Sequence, residues 1–295
     1  PDIKVVRMDE EGGASPYPSE EIARSFAAVI GIAATRDGVL WILDMGSPEQ
    51  SAMLFGWNTR TNRLEAVYYI PREASVGNSF FQDLAIDQTR KRAFIADMSR
   101  SDLVGDSRPG IVVVDLETGA IRRRLEGHPL LQAHGEQRAE GQTMAFTGPD
   151  GVAQPLQLGL NPIGIDELDR YVYFSTIASG TVYRVAAETL GDPDLSDEQI
   201  AEAVEAFGQK PTSDGIAVAG ETVYVTDVDT SAILALTADG LTTVSDDPRL
   251  IWPDAIAIDG QGALVATVNQ LNRAPPFNGG ESGAEPPFLL VRIKP

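Results

Sequence analysis

Cysteine is absent from this 295-residue chain, and histidine occurs only twice. The first absence excludes disulfides, thiolate metal sites and a cysteine nucleophile, and it leaves the compartment open. The second leaves His128 and His134 as the only imidazoles available for acid–base work near neutral pH. Positive charge is scarce as well: 23 Lys and Arg stand against 43 Asp and Glu, a net charge of −20. Such a surface repels phosphate backbones and anionic lipid, so nucleic acid is disfavoured as a partner. The longest apolar run, Phe26 to Ala34, is half of the roughly 18 residues a membrane-spanning helix needs. Neither a Gly-x-Ser-x-Gly elbow nor a phosphate-cradling glycine loop occurs, which removes the main support for a serine hydrolase or a nucleotide-binding protein.

What is present is ordinary globular composition, 43% hydrophobic and 22% charged, with 28 Gly and 19 Pro that make the chain turn often. It is also repetitive. Apolar alternation, a turn carrying Asp or Gly, and a second alternating run ending in Asp, Thr or Asn recur in Val29 to Asp44, Gln82 to Asp97, Asn161 to Thr176, Ser213 to Asp227 and Pro253 to Asn269. Further strand-like runs lie between the copies, so each period holds about four short strands, the content of a propeller blade. Ile3 to Met8, with the turn at Asp9 to Gly13, reads as the outer strands of one more blade. The expected fold is therefore an all-β, six-bladed β-propeller, a single domain over residues 1–295, with the first blade incomplete at its N-terminal side. Residues ahead of Pro1 are expected to complete it. Phe288 to Ile293 supplies the last strand.

One helix interrupts the pattern at 196–207, where Ser196 and Gln199 form a capping box, Ile200, Ala203, Val204 and Phe207 share a face, and Gly208 and Pro211 end it. Three stretches, Met98 to Pro109, Gly141 to Leu158 and Gln270 to Pro287, are too long for hairpin turns and are expected to rise as lids from one face. In the third, Asn272 and Arg273 are candidates to line a ligand pocket, with Asp254.

Inner strands of a propeller begin around the axis, and here those positions carry Gln82, Asp83, Asn161, Asp214 and Asp254. Asp at strand ends also caps turns, which is the plainer use of each one alone. As a set facing a common centre, with no Lys or Arg in the short strand-start motifs, they would need a cation or protons between them. All-oxygen ligands suit Ca²⁺, so Gln82, Asp83, Asn161 and Asp214 are candidate ligands of a divalent metal. His128 and His134 lie in the crossing that leads toward Asn161, and with Asp214 they are the candidate catalytic residues. Asp44, Asp97, Asp115, Asp227 and Asp259 fall at second-strand ends and turns and read as structural.

The words inside the blades, Gly77 to Asp87, Phe94 to Asp97, Gly110 to Leu116, Tyr173 to Thr176, Lys210 to Gly215, Trp252 to Asp254 and Val268 to Arg273, together resemble the bacterial branch of the major royal jelly protein/yellow family. That resemblance implies a six-bladed propeller, a periplasmic or secreted location, and either biogenic-amine binding or dopachrome conversion. More distantly the chain is similar to the senescence marker protein/gluconolactonase propellers, whose divalent metal is held by a Glu, two Asn and an Asp. By that likeness Asn161 matches one Asn, Asp214 the Asp, and Gln82 the other Asn with Asp83 beside it; near Ile30 and Gly31 no carboxylate matches the Glu. The readings carried forward are a small-molecule-binding propeller acting as a metal-dependent lactone or ester hydrolase, a non-catalytic amine or aromatic binder, and a tautomerase.

Overall fold

The computed structural model describes residues 2–9, 11–103, 105–147 and 152–295. Four antiparallel four-stranded sheets follow one another in sequence. The first runs from Val29–Ala34 through Val39–Asp44 and Met53–Asn58 to Arg63–Tyr69. The second runs from Phe81–Asp87 to Ile121–Arg124, the third from Leu160–Ile165 to Glu205–Lys210, and the fourth from Ile216–Ala219 to Gly240–Ser245. A fifth sheet has three strands, Pro253–Ile258, Leu264–Val268 and Leu289–Ile293. These are propeller blades, each beginning with its innermost strand, and every repeat read from the sequence supplies the first two strands of one blade.

Packing between blades explains why the strands read as nearly continuous apolar runs. In the second blade Val112 and Val114 join a cluster shared with Trp41, Leu43 and Leu54 of the first, whereas Ile111 and Val113 pack with Leu160, Val172 and Phe174 of the third. Side chains alternate across a strand, so a sheet covered on both faces needs apolar residues at every position. Two further clusters, around Ile216 and Val225 and around Ile256 and Ala266, join the third blade to the fourth and the fourth to the fifth.

Among the described residues five blades are formed, one for each repeat copy and one fewer than the six expected. Ile3 to Met8, read as outer strands of a sixth blade, joins none of the five sheets. It makes a two-stranded pair, Val6–Met8 with Ala14–Pro16, followed by a short helix, Glu20–Ser25. Val5, Tyr17, Ile22 and Phe26 lay this segment against Ile42, Met53 and Phe55, covering the first blade's outward face. Nearer the axis that coverage stops: Ile32 on the first blade is 54% exposed, and Leu290 on the fifth is 56% exposed.

The inserted helix is also shorter than its amphipathic pattern suggested. It spans Asp197–Glu202 with the expected Ser196/Gln199 capping box and stops at Ala203. Glu205–Lys210 is then recruited as the outer strand of the third blade, pairing with Gly180–Ala186, and Phe207 packs edge-on against Tyr173. Strand pairing and ring packing override the local helical period here. Among the described residues no helix is long and apolar enough to cross a membrane.

The three long stretches meet on one face as expected, although Val104 and residues 148–151 lie outside the described residues. Leu103, Met144, Phe146, Leu156, Leu158, Leu271 and Phe277 join one apolar cluster with Met98, Ile177, Val228 and Trp252. Met98, Ile177 and Val228 each follow the second strand of their blade, so the cluster caps the propeller at the end where inner strands begin.

Candidate axial site

A cavity of about 540 Å³ runs along the axis, lined by the inner strands of all five blades. Gln82, Asp83, Asn161, Asp214 and Asp254 line it, at the strand starts and so at the lid end. Its flanks are apolar, with Ile86, Ile163, Ile216, Val218 and Ile256 among the lining residues. Toward the far end come Arg36, Gln88, Glu167 and Asp169. There Arg36 Nη2 donates to Asp169 Oδ2 at 2.8 Å and Arg36 Nη1 to the Glu167 carbonyl at 2.6 Å, linking the first blade to the third.

Each axial acid is oriented by specific donors. Asp83 Oδ1 accepts from the Leu84 amide at 2.8 Å, and its Oδ2 faces the Ile163 amide of the next blade at 3.5 Å. Asp214 Oδ2 accepts from the Trp252 indole Nε1 at 2.7 Å. Asp254 Oδ2 accepts from Asn269 Nδ2, placed just beyond the second strand of its blade. Two buried oxygens, Gln82 Oε1 and Asp214 Oδ1, make no hydrogen bond of good geometry within the chain, although Asn161 and Asp254 lie beside the Asp214 carboxyl.

Burial dominates the electrostatics. It raises the Asp83 carboxyl to about 7, helped by the nearby charge of Asp214. Burial raises Asp214 as well, opposed by the Trp252 hydrogen bond, the nearby Asn161 amide and Lys210. Asp254 is raised well above its ordinary range, by burial and then by the charges of Asp214 and Asp83. The three acids thus disfavour one another's charge, and each is more readily protonated than a solvated carboxyl.

The strand-start motifs hold no Lys or Arg, but Lys210, at the end of the outer strand Glu205–Lys210, comes close to the acids. Its side chain is buried behind the acids, and Nζ donates to the carbonyls of Ala178 at 2.8 Å, Pro211 at 3.1 Å and Ile177 at 3.4 Å. Burial lowers its amine to about 7 against the opposing pull of Asp214 and Asp227. This amine, charged only in part near neutrality, offsets part of the acid charge.

The other sequence candidates are engaged elsewhere. His128 caps a short 3-10 turn, its Nδ1 accepting from the Leu130 amide at 3.3 Å, and His134 Nε2 lies 2.6 Å from the Pro129 carbonyl. Neither lines the axial cavity. Asn272 and Arg273 are likewise outside its lining and instead grip Glu140, through Asn272 Nδ2 at 2.7 Å and Arg273 Nη2 at 2.6 Å. The second-strand acids are structural brackets: Asp44 accepts from the Ala27 and Ala28 amides, and Asp97 from the Phe80 and Ser99 amides. Trp252, Asn269 and Lys210 are the residues that the sequence reading did not assign to the site.

All axial donors are oxygens, the set a hard cation accepts. Among the described residues no three His, Cys, Asp or Glu side chains gather closely enough to hold a metal ion. A bound cation would therefore draw on the amides of Gln82 and Asn161 as much as on the carboxylates.

Among solved structures, the chain is similar to one in a nidogen/laminin complex, at 12% identity and a TM-score of 0.55, over 98% of this chain and 89% of that one. It is also similar to a luciferin-regenerating enzyme, at 10% identity and a TM-score of 0.51, over 90% of this chain and 84% of that one. Likeness at such identities shows the fold alone. No curated protein matches the chain. The family model described as major royal jelly protein matches residues 27–276, a span that contains the inner strands of all five blades. The chain belongs to the major royal jelly protein family.

Proposed function

We propose that this propeller binds a small organic amine, its ammonium group at Asp83, Asp214 and Asp254 and its apolar body along the channel wall. The observation that carries the reading is the convergence of three carboxyls, Asp214 buried and Asp83 and Asp254 half-buried, all raised by desolvation, on a cavity whose flanks are lined by Ile and Val. An ammonium replaces the protons that these acids otherwise retain, and its hydrocarbon covers apolar wall, so both ends of one molecule are matched. Secretion, implied by the family resemblance, accords with a protein that sequesters small molecules outside the cell. The decisive experiment is calorimetric titration with phenethylamine and with its neutral counterpart phenylethanol. Saturable binding of the amine alone is expected; equal binding of the alcohol, or none of the amine, contradicts the reading.

A second reading, Ca²⁺ bound through Gln82, Asp83, Asn161 and Asp214, is favoured by the unpartnered oxygens of Gln82 and Asp214. Such an ion would supply Lewis-acid polarisation of an ester or lactone carbonyl. The hydrolase reading built on it has less support, because neither histidine lines the cavity. A catalytic role, if present, falls to Asp83, whose carboxyl near 7 can take or give a proton at neutral pH.

A further inference from the structure

We propose that Trp252 is a positioning residue that carries the packing of the lid to the ligand-facing oxygen of Asp214. This rests on the axial amine site above. Trp252 stands just before the inner strand of the fifth blade at φ 53°, in the left-handed region that a bulky residue adopts only when its surroundings hold it there. Its ring is 2% exposed and lies in the lid cluster with Met98, Met144, Leu158, Ile177 and Val228. The one polar atom of that ring reaches out of the apolar cluster to Oδ2 of Asp214, on the neighbouring blade.

With Oδ2 claimed by the indole, the carboxyl plane is fixed and Oδ1 is left without a good hydrogen bond in a residue that lines the cavity. A buried acceptor in that state is an invitation to a donor from a ligand. Residues from three lid stretches press on the same cluster, so loosening the lid loosens the indole, and through it the direction in which Asp214 presents its free oxygen.

The hydrogen bond is testable without any ligand. The chain has three tryptophans, whose indole N–H resonances are assigned by single substitutions. The Trp252 resonance of the ligand-free protein should shift in Asp214→Ala and also in Met144→Ala, which thins the lid without touching the acid. With phenethylamine as probe, Trp252→Phe should bind about tenfold more weakly than the native protein, the loss of a hydrogen bond to a charged group. Trp252→His, which restores a ring donor, should recover part of that affinity. Met144→Ala should weaken binding in the native background and add nothing to Trp252→Phe, because both act through one contact. An unmoved indole resonance in Asp214→Ala, native affinity in Trp252→Phe, or fully additive losses would each overturn the proposal. Should the native protein not bind phenethylamine, the amine reading falls and the resonance shifts alone decide whether Trp252 links lid to acid.

Discussion

Arg123 donates through Nη1 to Asp97 Oδ2 at 2.6 Å, an ion pair whose side chains are 4% and 0% exposed. The same carboxylate accepts from the Phe80 and Ser99 amides, so it ties the entry of the second blade's inner strand to the exit of its second strand. Removing the cation strands a buried charge, which costs about 3–5 kcal/mol. Arg123→Leu is therefore predicted to lower unfolding free energy in urea by about 3 kcal/mol. A loss under about 1 kcal/mol would mean that the amides alone satisfy Asp97.

Stability should pass through a shallow minimum near neutral pH as far as the axial groups determine it. Burial raises Asp83 from 3.8 to about 7, so across that interval the folded protein binds a proton that the unfolded chain has released. The contribution is complete below the unfolded value and is lost as pH rises through about 7. Lys210 acts in the next window: its amine falls from 10.5 to about 7, so between those values the unfolded chain binds the extra proton and stability rises with pH. Melting curves of Asp83→Asn should show a smaller fall between about pH 5 and 7 than the native protein. An unchanged slope would remove Asp83 from this role.

The blades were legible because a sheet covered on both faces leaves apolar runs with turn residues between them, and the repeat starts fall within about three residues of the inner strands. The missing sixth blade was not, since Ile3 to Met8 has strand propensity but its partners are decided by packing on Phe55 and Ile42. The axial Gln82, Asp83, Asn161, Asp214 and Asp254 were legible as strand starts of a closed repeat. In the sequence Trp252 stands only as a neighbour of Asp254, yet its indole serves Asp214 on another blade, a relationship fixed by backbone direction at φ 53°. Lys210 carries a sequence signal of its own: a lysine at the end of an outer strand, four residues ahead of an axial acid. The two histidines drew attention by their rarity, and the crossing that holds them folds back on its own carbonyls.

His128→Ala and His134→Ala are accordingly predicted to leave ligand affinity at the axial cavity within about twofold of native, measured by the same titration. A tenfold change in either would place the crossing loop over the site after all.

Calcium offers a separate prediction. If the oxygen set holds Ca²⁺ in the folded state only, millimolar CaCl₂ raises the melting temperature by linkage and Asp214→Ala abolishes the gain. Mg²⁺, which demands near-ideal octahedral ligation, should give less. No response to either ion would confine the axial acids to protons and organic cations.

The central claim is that a cation displaces protons from Asp83, Asp214 and Asp254. Calorimetric titration of the native protein with phenethylamine near pH 7, repeated in buffers of different ionisation enthalpy, counts those protons directly. Binding accompanied by net proton release, diminished in Asp83→Asn, is the result predicted from carboxyls raised by burial. Binding with no proton release, the same in every buffer, would contradict it and place the ammonium away from the axial acids.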